Sequence, residues 1–426
     1  MKRDVEKGKT LLVDGPASLS LISGEATILG ASLRSGEKIV IREGKRIPFE
    51  VRKKASFDLM LGEGASVEET DGNTIPQSWE NASKEILFHK KPTTVMVMGD
   101  VDSGKTSFCA YLLNQALKKG WKQAIIDGDL GQSDVGPPST IGFSHITAPV
   151  KDPFEIEAEN AYFVGVTSPS GAVNRVLDGL TAMKTKALES GVEFLVINTD
   201  GWVNGEDATE YKLQLTTKMD PDIVVGIQQE EELAPILTTL KKTKVLKIDS
   251  SQAVRKRDRE KRKILRELSY KKYLKGAKVQ SFLLNWIKAE RVQFGVGSPL
   301  TEGQMEKIRE CLGTSPIYGE ETPNAVFAVL RRNQWIGEEQ MKGIEEVFGK
   351  RAKLIREGEE EGLLVGLQDE KESFLGIGIL LGVDYKRRAM KVYTPVSKDV
   401  STIIVGQVKL ERNGKEIGLS PAFSVP

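Results

Sequence analysis

The chain is poor in the residues that build disulfide or zinc frameworks. Among 426 residues there are two cysteines, Cys109 and Cys311, and two histidines, His89 and His145. Two cysteines exclude a disulfide scaffold, and together with two histidines they exclude a Cys/His zinc cluster. Long hydrophobic runs are also missing. The longest near-continuous one, Phe374 to Val383, is about half of what a membrane-crossing helix needs. Nor does the start, Met1-Lys2-Arg3-Asp4-Val5-Glu6-Lys7, lead into an apolar segment. No signal peptide and no membrane association are therefore expected, and the expected location is cytoplasmic, or nuclear for a eukaryotic source. An excess of either charge is absent too, since 61 Lys+Arg face 60 Asp+Glu.

What is present is an ordinary globular composition, 39% apolar and 28% charged. The length suits two to four domains at roughly 100–200 residues each. Glycine, at 41 residues, stands somewhat above the usual ~7% and suggests tight turns and a backbone-cradled ligand. The near-neutral total hides an asymmetry. Arg255 to Lys275 holds 11 Lys/Arg and 3 Asp/Glu, so the remainder of the chain is net acidic. Such a distribution fits a protein that grips phosphate at one place rather than along its whole surface.

The hydrophobic pattern divides the chain in three. Residues 1–85 alternate short apolar runs with turn signals: Leu11-Leu12-Val13, Leu19 to Ile22, Lys38 to Ile41 and Arg46 to Val51. That pattern predicts a small N-terminal all-β domain. Residues 86–284 carry continuous apolar runs at Val95–Met98, Ala124–Ile126, Phe194–Ile197, Ile223–Val225 and Val245–Ile248, separated by helical stretches. Buried strands alternating with helices predict a central α/β domain with a parallel sheet covered on both faces. Residues 285–426 mix helices near Glu302–Cys311 and Glu338–Phe348 with strands such as Ala325–Leu330 and Ala389–Tyr393. They read as a C-terminal β-rich α+β domain without a motif attachable to chemistry.

Gly99-Asp100-Val101-Asp102-Ser103-Gly104-Lys105-Thr106, followed by Ser107, fits G-x-x-x-x-G-K-[ST]. It lies between a buried strand and a helix whose stripe is Phe108, Cys109, Leu112, Leu113, Ala116 and Leu117. Glycines let backbone N–H groups turn toward phosphate, and the helix N-terminus adds partial positive charge. Lys105 is expected on the β/γ-phosphates and Thr106 on Mg²⁺, which makes this a nucleotide site. The next strand ends in Asp127-Gly128-Asp129-Leu130-Gly131-Gln132. A carboxylate there faces the ligand crevice and can bind Mg²⁺ or take a proton from a hydroxyl, with Asp129 ahead of Asp127. A third strand ends in Asn198-Thr199-Asp200-Gly201-Trp202. Trp202 either stacks on a base or packs on the sheet edge, and the sequence leaves both open. In the basic stretch, Arg255/Arg259 and Arg262/Arg266 are i, i+4 pairs, each a two-pronged anion clamp if helical. The acidic residues Asp100 and Asp102 inside the P-loop have no account at this level. Cys109 reads as core, and His89 and His145 as structural or surface residues without evident partners.

The P-loop, Asp129-Leu130-Gly131-Gln132, Gly136 to Gly142, Thr199 to Trp202 and the Arg-rich segment together resemble the polynucleotide 5′-hydroxyl kinases. That family includes the RNA kinases linked to pre-mRNA cleavage, tRNA splicing and pre-ribosomal RNA processing, and their archaeal counterparts. The resemblance extends to Leu19–Leu29, Tyr162–Pro169 and Gly378–Pro395, and the compact chain is most like an archaeal member. It implies an ATP- and Mg²⁺-dependent kinase acting on the 5′-hydroxyl ends of single-stranded RNA, with DNA as a further acceptor and RNA-processing proteins as candidate partners. By motif, Asp129 would activate the 5′-hydroxyl, and Gln132 would arrange substrate and metal. Thr199 and Trp202 would form a clasp on the terminal nucleotide. An R-x-x-x-R lid falls on Arg262 and Arg266, with Arg255 and Arg259 fitting the same spacing. Asp200 departs from the small residue expected in the clasp. The alternatives are an ATP-binding scaffold without catalysis, and a regulatory NTPase whose acceptor is water.

Overall fold

The computed structural model describes residues 1–292, 294–295, 297–334 and 337–420. The chain forms two compact units, Met1–Ser269 and Tyr270–Pro426. Among the described residues no helix is long and apolar enough to cross a membrane.

The first unit opens with a seven-stranded antiparallel sheet, running from Lys2–Val5 to Ser66–Asp71. Its longest strand, Arg46–Leu61, alternates buried and exposed positions over part of its length and pairs with three neighbours. The helix Gln77–Ile86 then leads to the central sheet. Trp79 on that helix meets Phe108 of the P-loop helix edge-on at 5.2 Å. Leu11, Phe49, Phe57, Trp79, Phe108 and Leu112 thus belong to one continuous core joining the N-terminal sheet to the α/β layer. Buried Asn114 stitches the same seam: its amide nitrogen donates to Leu29 O and Val150 O, and its oxygen accepts from Val150 N.

The central sheet has the order Asn160–Phe163, Thr140–His145, Gln123–Asp127, Phe194–Asn198, Thr93–Gly99, Ile223–Gln228, Lys244–Asp249. Five strands are parallel, and four of these are buried along almost their whole length. Burial on both faces explains their unbroken apolar runs. The expected parallel sheet is there, with two strands added antiparallel at one edge, Thr140–His145 and Asn160–Phe163. A parallel return needs a crossover, usually a helix, whereas Gly128 to Ser139 folds as irregular turns. Gly142 fixes that return: a Cβ there would stand 1.8 Å from Val135 O. His145 ends the returning strand and has partners after all, with its ring nitrogens against Glu159 Oε2 at 2.7 Å and Ser190 Oγ at 2.8 Å.

The second unit contains a seven-stranded sheet and a four-stranded one, Ser298–Pro299, Tyr318–Glu321, Ala325–Leu330 and Arg351–Arg356. Helices Glu302–Leu312 and Glu338–Phe348 bury Ile308, Leu312 and Ile344 in one cluster with Val326, Ala328 and Leu330. The expected β-rich α+β character holds.

Candidate nucleotide and acceptor site

The P-loop joins the buried strand Thr93–Gly99 to the helix Lys105–Lys118. Asp102 at φ +57° and Gly104 at φ +99° turn the loop inward, the backbone pattern that makes an anion nest. Gly99 cannot carry a side chain, because its Cβ would lie 2.4 Å from Ser103 Oγ and 2.8 Å from Ile227 O. Lys105 is buried and curls over the loop, donating to Gly99 O at 3.0 Å and Asp100 O at 2.8 Å. The Asp100 carboxylate accepts from Val101 N.

Asp127 and Asp129 divide their labour. Asp127 Oδ2 accepts from the N–H groups of Asp134 and Val135 and from Ser133 Oγ. Its Oδ1 accepts from Asn198 Nδ2 at 2.9 Å and Asp129 N at 3.3 Å. Burial, with Asp129 and Asp134 nearby, pushes its carboxyl up to about 7. Asp127 is therefore spent on holding the turn. Asp129 Oδ1 caps Gly131 N and Gln132 N, and burial raises its carboxyl above the usual range despite the opposing Lys105 charge. Its other oxygen has no hydrogen bond among the described residues, so Asp129 is the carboxylate left for chemistry. Asn198 is a residue the sequence reading passed over. Its amide also reaches Thr106 Oγ1 at 3.4 Å, tying the acidic strand to the P-loop hydroxyl.

The basic segment corrects one expectation. The helix is Arg259–Tyr273, so Arg255 precedes it and Arg255/Arg259 is not a pair on one helical face. Arg255 instead meets Asp14 of the N-terminal sheet at 3.3 Å. Arg262 and Arg266 do lie on the helix. Arg262 reaches Asp102 at 3.5 Å, and its carbonyl accepts from Gln132 Nε2 at 3.1 Å. Arg257, also passed over, binds Asp102 twice, through its backbone N–H at 2.9 Å and its guanidinium at 3.1 Å. Its Nε donates to Gly44 O. The acidic P-loop is thereby explained: Asp102 is the mooring of the basic segment.

A cavity of about 450 Å³ gathers Val101 to Ser107, Asp129, Gln132, Arg255 and Arg266. Arg42, Lys45 and Arg46, from a turn of the N-terminal sheet, share its lining. Lys45 and Arg42 face Asp134, which burial would push up but which these two cations hold below the usual carboxylate range. Only a charged turn between strands announced these residues, and its direction was not legible. Gly99, Asp100, Thr199, Trp202, Arg259 and Arg262 lie outside the cavity lining.

The loop of residues 199–202 sits against the P-loop from the other side. Gly201 has no room for a side chain, since its Cβ would stand 2.8 Å from Val101 N and Cα. Thr199 is buried and donates to Val97 O at 2.9 Å, so its hydroxyl works inside the fold. Trp202 stacks on Tyr211 at 5.5 Å and 24°. Tyr211 and the fully buried Lys212 both contact Asp200. A readable signal existed for Lys212, which stands on the inward stripe Ala208, Tyr211, Lys212, Leu215 and Met219.

Residues 99–276 match the family of the mRNA cleavage and polyadenylation factor CLP1 P-loop. A polyribonucleotide 5′-hydroxyl-kinase of Pyrococcus furiosus is 28% identical over 348 residues, 81% of this chain and 95% of that protein. One from Methanocaldococcus jannaschii is 26% identical over 357 residues, 82% and 96% of the two chains. A CLP1 homologue of Brugia malayi is 26% identical over 290 residues, 63% and 66%. The fold is that of Clp1p in the wild-type Clp1p–Pcf11p complex, with a TM-score of 0.67 at 14% identity over 96% of this chain and 97% of that one. The chain is thus similar to the CLP1 P-loop family over residues 99–276, and to archaeal polyribonucleotide 5′-hydroxyl-kinases over most of its length.

Proposed function

We propose that this chain moves the γ-phosphoryl group of ATP onto the 5′-hydroxyl of RNA. The observation that carries the reading is one cavity shared by Lys105, Thr106, Asp129, Gln132 and Arg266. Phosphoryl transfer asks for positioning and charge neutralisation more than for covalent chemistry. Lys105 and Arg266 supply positive charge toward the phosphates. Asp129, raised above the usual carboxylate range, accepts the proton of the attacking hydroxyl. The 5′-oxygen bonds to the γ-phosphorus as the bond to the β-bridging oxygen breaks, and ADP leaves.

The oxygens at the site fit Mg²⁺, which takes one or two protein oxygens together with water and phosphate. Thr106 Oγ1 would hold it directly and Asp129 only through a metal-bound water, which leaves the open oxygen of Asp129 able to take the acceptor's proton; Asp127 would not hold it, because its oxygens are already bonded. Bound there, Mg²⁺ would neutralise phosphate charge. Trp202, half-buried and stacked on Tyr211, would meet the acceptor nucleotide through the part of its indole that stays exposed.

The test is transfer from γ-labelled ATP with Mg²⁺ to matched 5′-hydroxyl and 5′-phosphorylated oligonucleotides. Label is expected on 5′-hydroxyl ends only, and Lys105→Ala is expected to abolish it. Transfer surviving in that variant, or label released only as inorganic phosphate, would overturn the assignment.

A further inference from the structure

Asp200 stands in the clasp where a small residue was expected, and its surroundings account for it. One carboxylate oxygen, Oδ1, accepts from the backbone N–H of Trp202 at 2.9 Å. The other, Oδ2, accepts from the Tyr211 hydroxyl at 2.7 Å and pairs with Lys212 Nζ at 3.0 Å. Lys212 is 0% exposed, and an ammonium in that setting must place each of its three protons. Its acceptors are Asp200 Oδ2, Asp200 O at 2.9 Å and Thr199 Oγ1 at 3.3 Å, all within the clasp. Tyr211 meanwhile supports the Trp202 ring from one side. On the opposite side of the loop, Gly201 abuts the P-loop backbone at Val101.

We propose that Asp200, Tyr211 and Lys212 are positioning residues that set the height and tilt of the Trp202 ring as the platform for the acceptor's terminal nucleotide. The inference rests on the proposed kinase reading and specifies how its acceptor subsite is built. Thr199 takes its place within this unit rather than as a direct substrate contact. The carboxylate and the ammonium act as a pair. Removing one leaves the other buried and uncompensated, while removing both leaves a smaller but unstrained defect.

The experiment measures the Kd for a 3′-labelled, 5′-hydroxyl oligonucleotide and the Kd for ATP, alongside KM and kcat for transfer. Lys212→Met is expected to weaken oligonucleotide binding and raise its KM by about tenfold or more, leaving ATP affinity within about twofold. Tyr211→Phe keeps the stacked ring and loses one hydrogen bond, so its effect is expected near threefold. The double variant Asp200→Ala/Lys212→Met is expected to bind oligonucleotide better than Lys212→Met alone. Equal losses of ATP and oligonucleotide affinity in both Lys212→Met and Tyr211→Phe would reduce the cluster to general packing and overturn the proposal. So would a double variant worse than either single change. A wild-type protein that binds the oligonucleotide but transfers nothing to it would instead sink the kinase reading beneath it.

Discussion

Asp102 and Asp200 occupy matching places, each inside a loop at the end of a buried strand, and each collects cations from later in the chain. They differ in where those cations stand. The Asp102 side chain is 5% exposed, but its partners Arg257 and Arg262 are 26% and 29% exposed and belong to the segment entering a helix. Asp200 is met by a lysine with no exposure at all, on a helix packed into the core. The first arrangement is a mooring whose partners keep contact with water and can exchange it for phosphate. The second is a fixed strut. A transferase has use for both, since arginines over a phosphate must come and go with substrate while an acceptor platform must stay put.

The sharpest way to break this contrast is to unpair each carboxylate in turn. Lys212→Met strands Asp200 in a buried site, which costs about 3–5 kcal/mol for a buried pair. Hydrogen exchange of the amides in Glu206–Met219 would report that loss locally, without assuming that a chain of two units unfolds in one step. Exchange unchanged in that helix would mean the ammonium contributes nothing there, and the strut would be an ordinary packed helix.

Asp102→Asn is expected to cost under about 1 kcal/mol of stability, as for pairs whose cations stay partly hydrated. Its effect should fall on chemistry instead, with transfer slowed by roughly tenfold as Arg257 and Arg262 lose their common anchor. Measuring transfer across a salt series sharpens the point. The difference between wild type and variant should narrow as salt screens the exposed arginines. A variant as unstable as Lys212→Met, or one whose deficit ignores salt, would erase the distinction between mooring and strut.

Much of this was readable in advance, for identifiable reasons. Strands buried on both faces show as unbroken apolar runs, so Val95–Met98 and Phe194–Ile197 were found where they lie. The P-loop was found because its backbone demands glycine, and Gly99 and Gly104 show that demand directly. The antiparallel pairing at the sheet edge was not found, because a strand such as Thr140–His145 has the same local signature whichever way it pairs. Cross-chain ion pairs were the least legible. Nothing local distinguishes Asp102, 155 residues before Arg257, from a solvated turn aspartate. Lys212 is the instructive exception, since a lysine on an apolar stripe already advertises a buried partner.

The smallest predicted effect concerns the end of the basic segment that precedes the helix. Arg255 and Arg259 share the spacing of Arg262 and Arg266, and spacing alone ranks the pairs equally. The helix begins at Arg259, so only Arg262 and Arg266 sit on one continuous helical turn, with Arg262 beside the P-loop and Arg266 on the cavity wall. Arg255 is 58% exposed and pairs with Asp14, which Arg46 already satisfies in two bonds. An exposed guanidinium sharing a carboxylate with a better partner has little to lose. Arg255→Ala should therefore change transfer by less than about threefold and leave stability nearly untouched. Both arginines line the cavity that holds Lys105 and Asp129, but Arg266 is held on the helix whereas Arg255 precedes it and is turned to Asp14, so Arg266→Ala should cost far more. Parallel steady-state measurements on the two variants decide the matter. If Arg255→Ala proved as damaging as Arg266→Ala, the working arginines would begin before the helix, and the mooring at Asp102 would have to reach further back along the chain than the helix start implies.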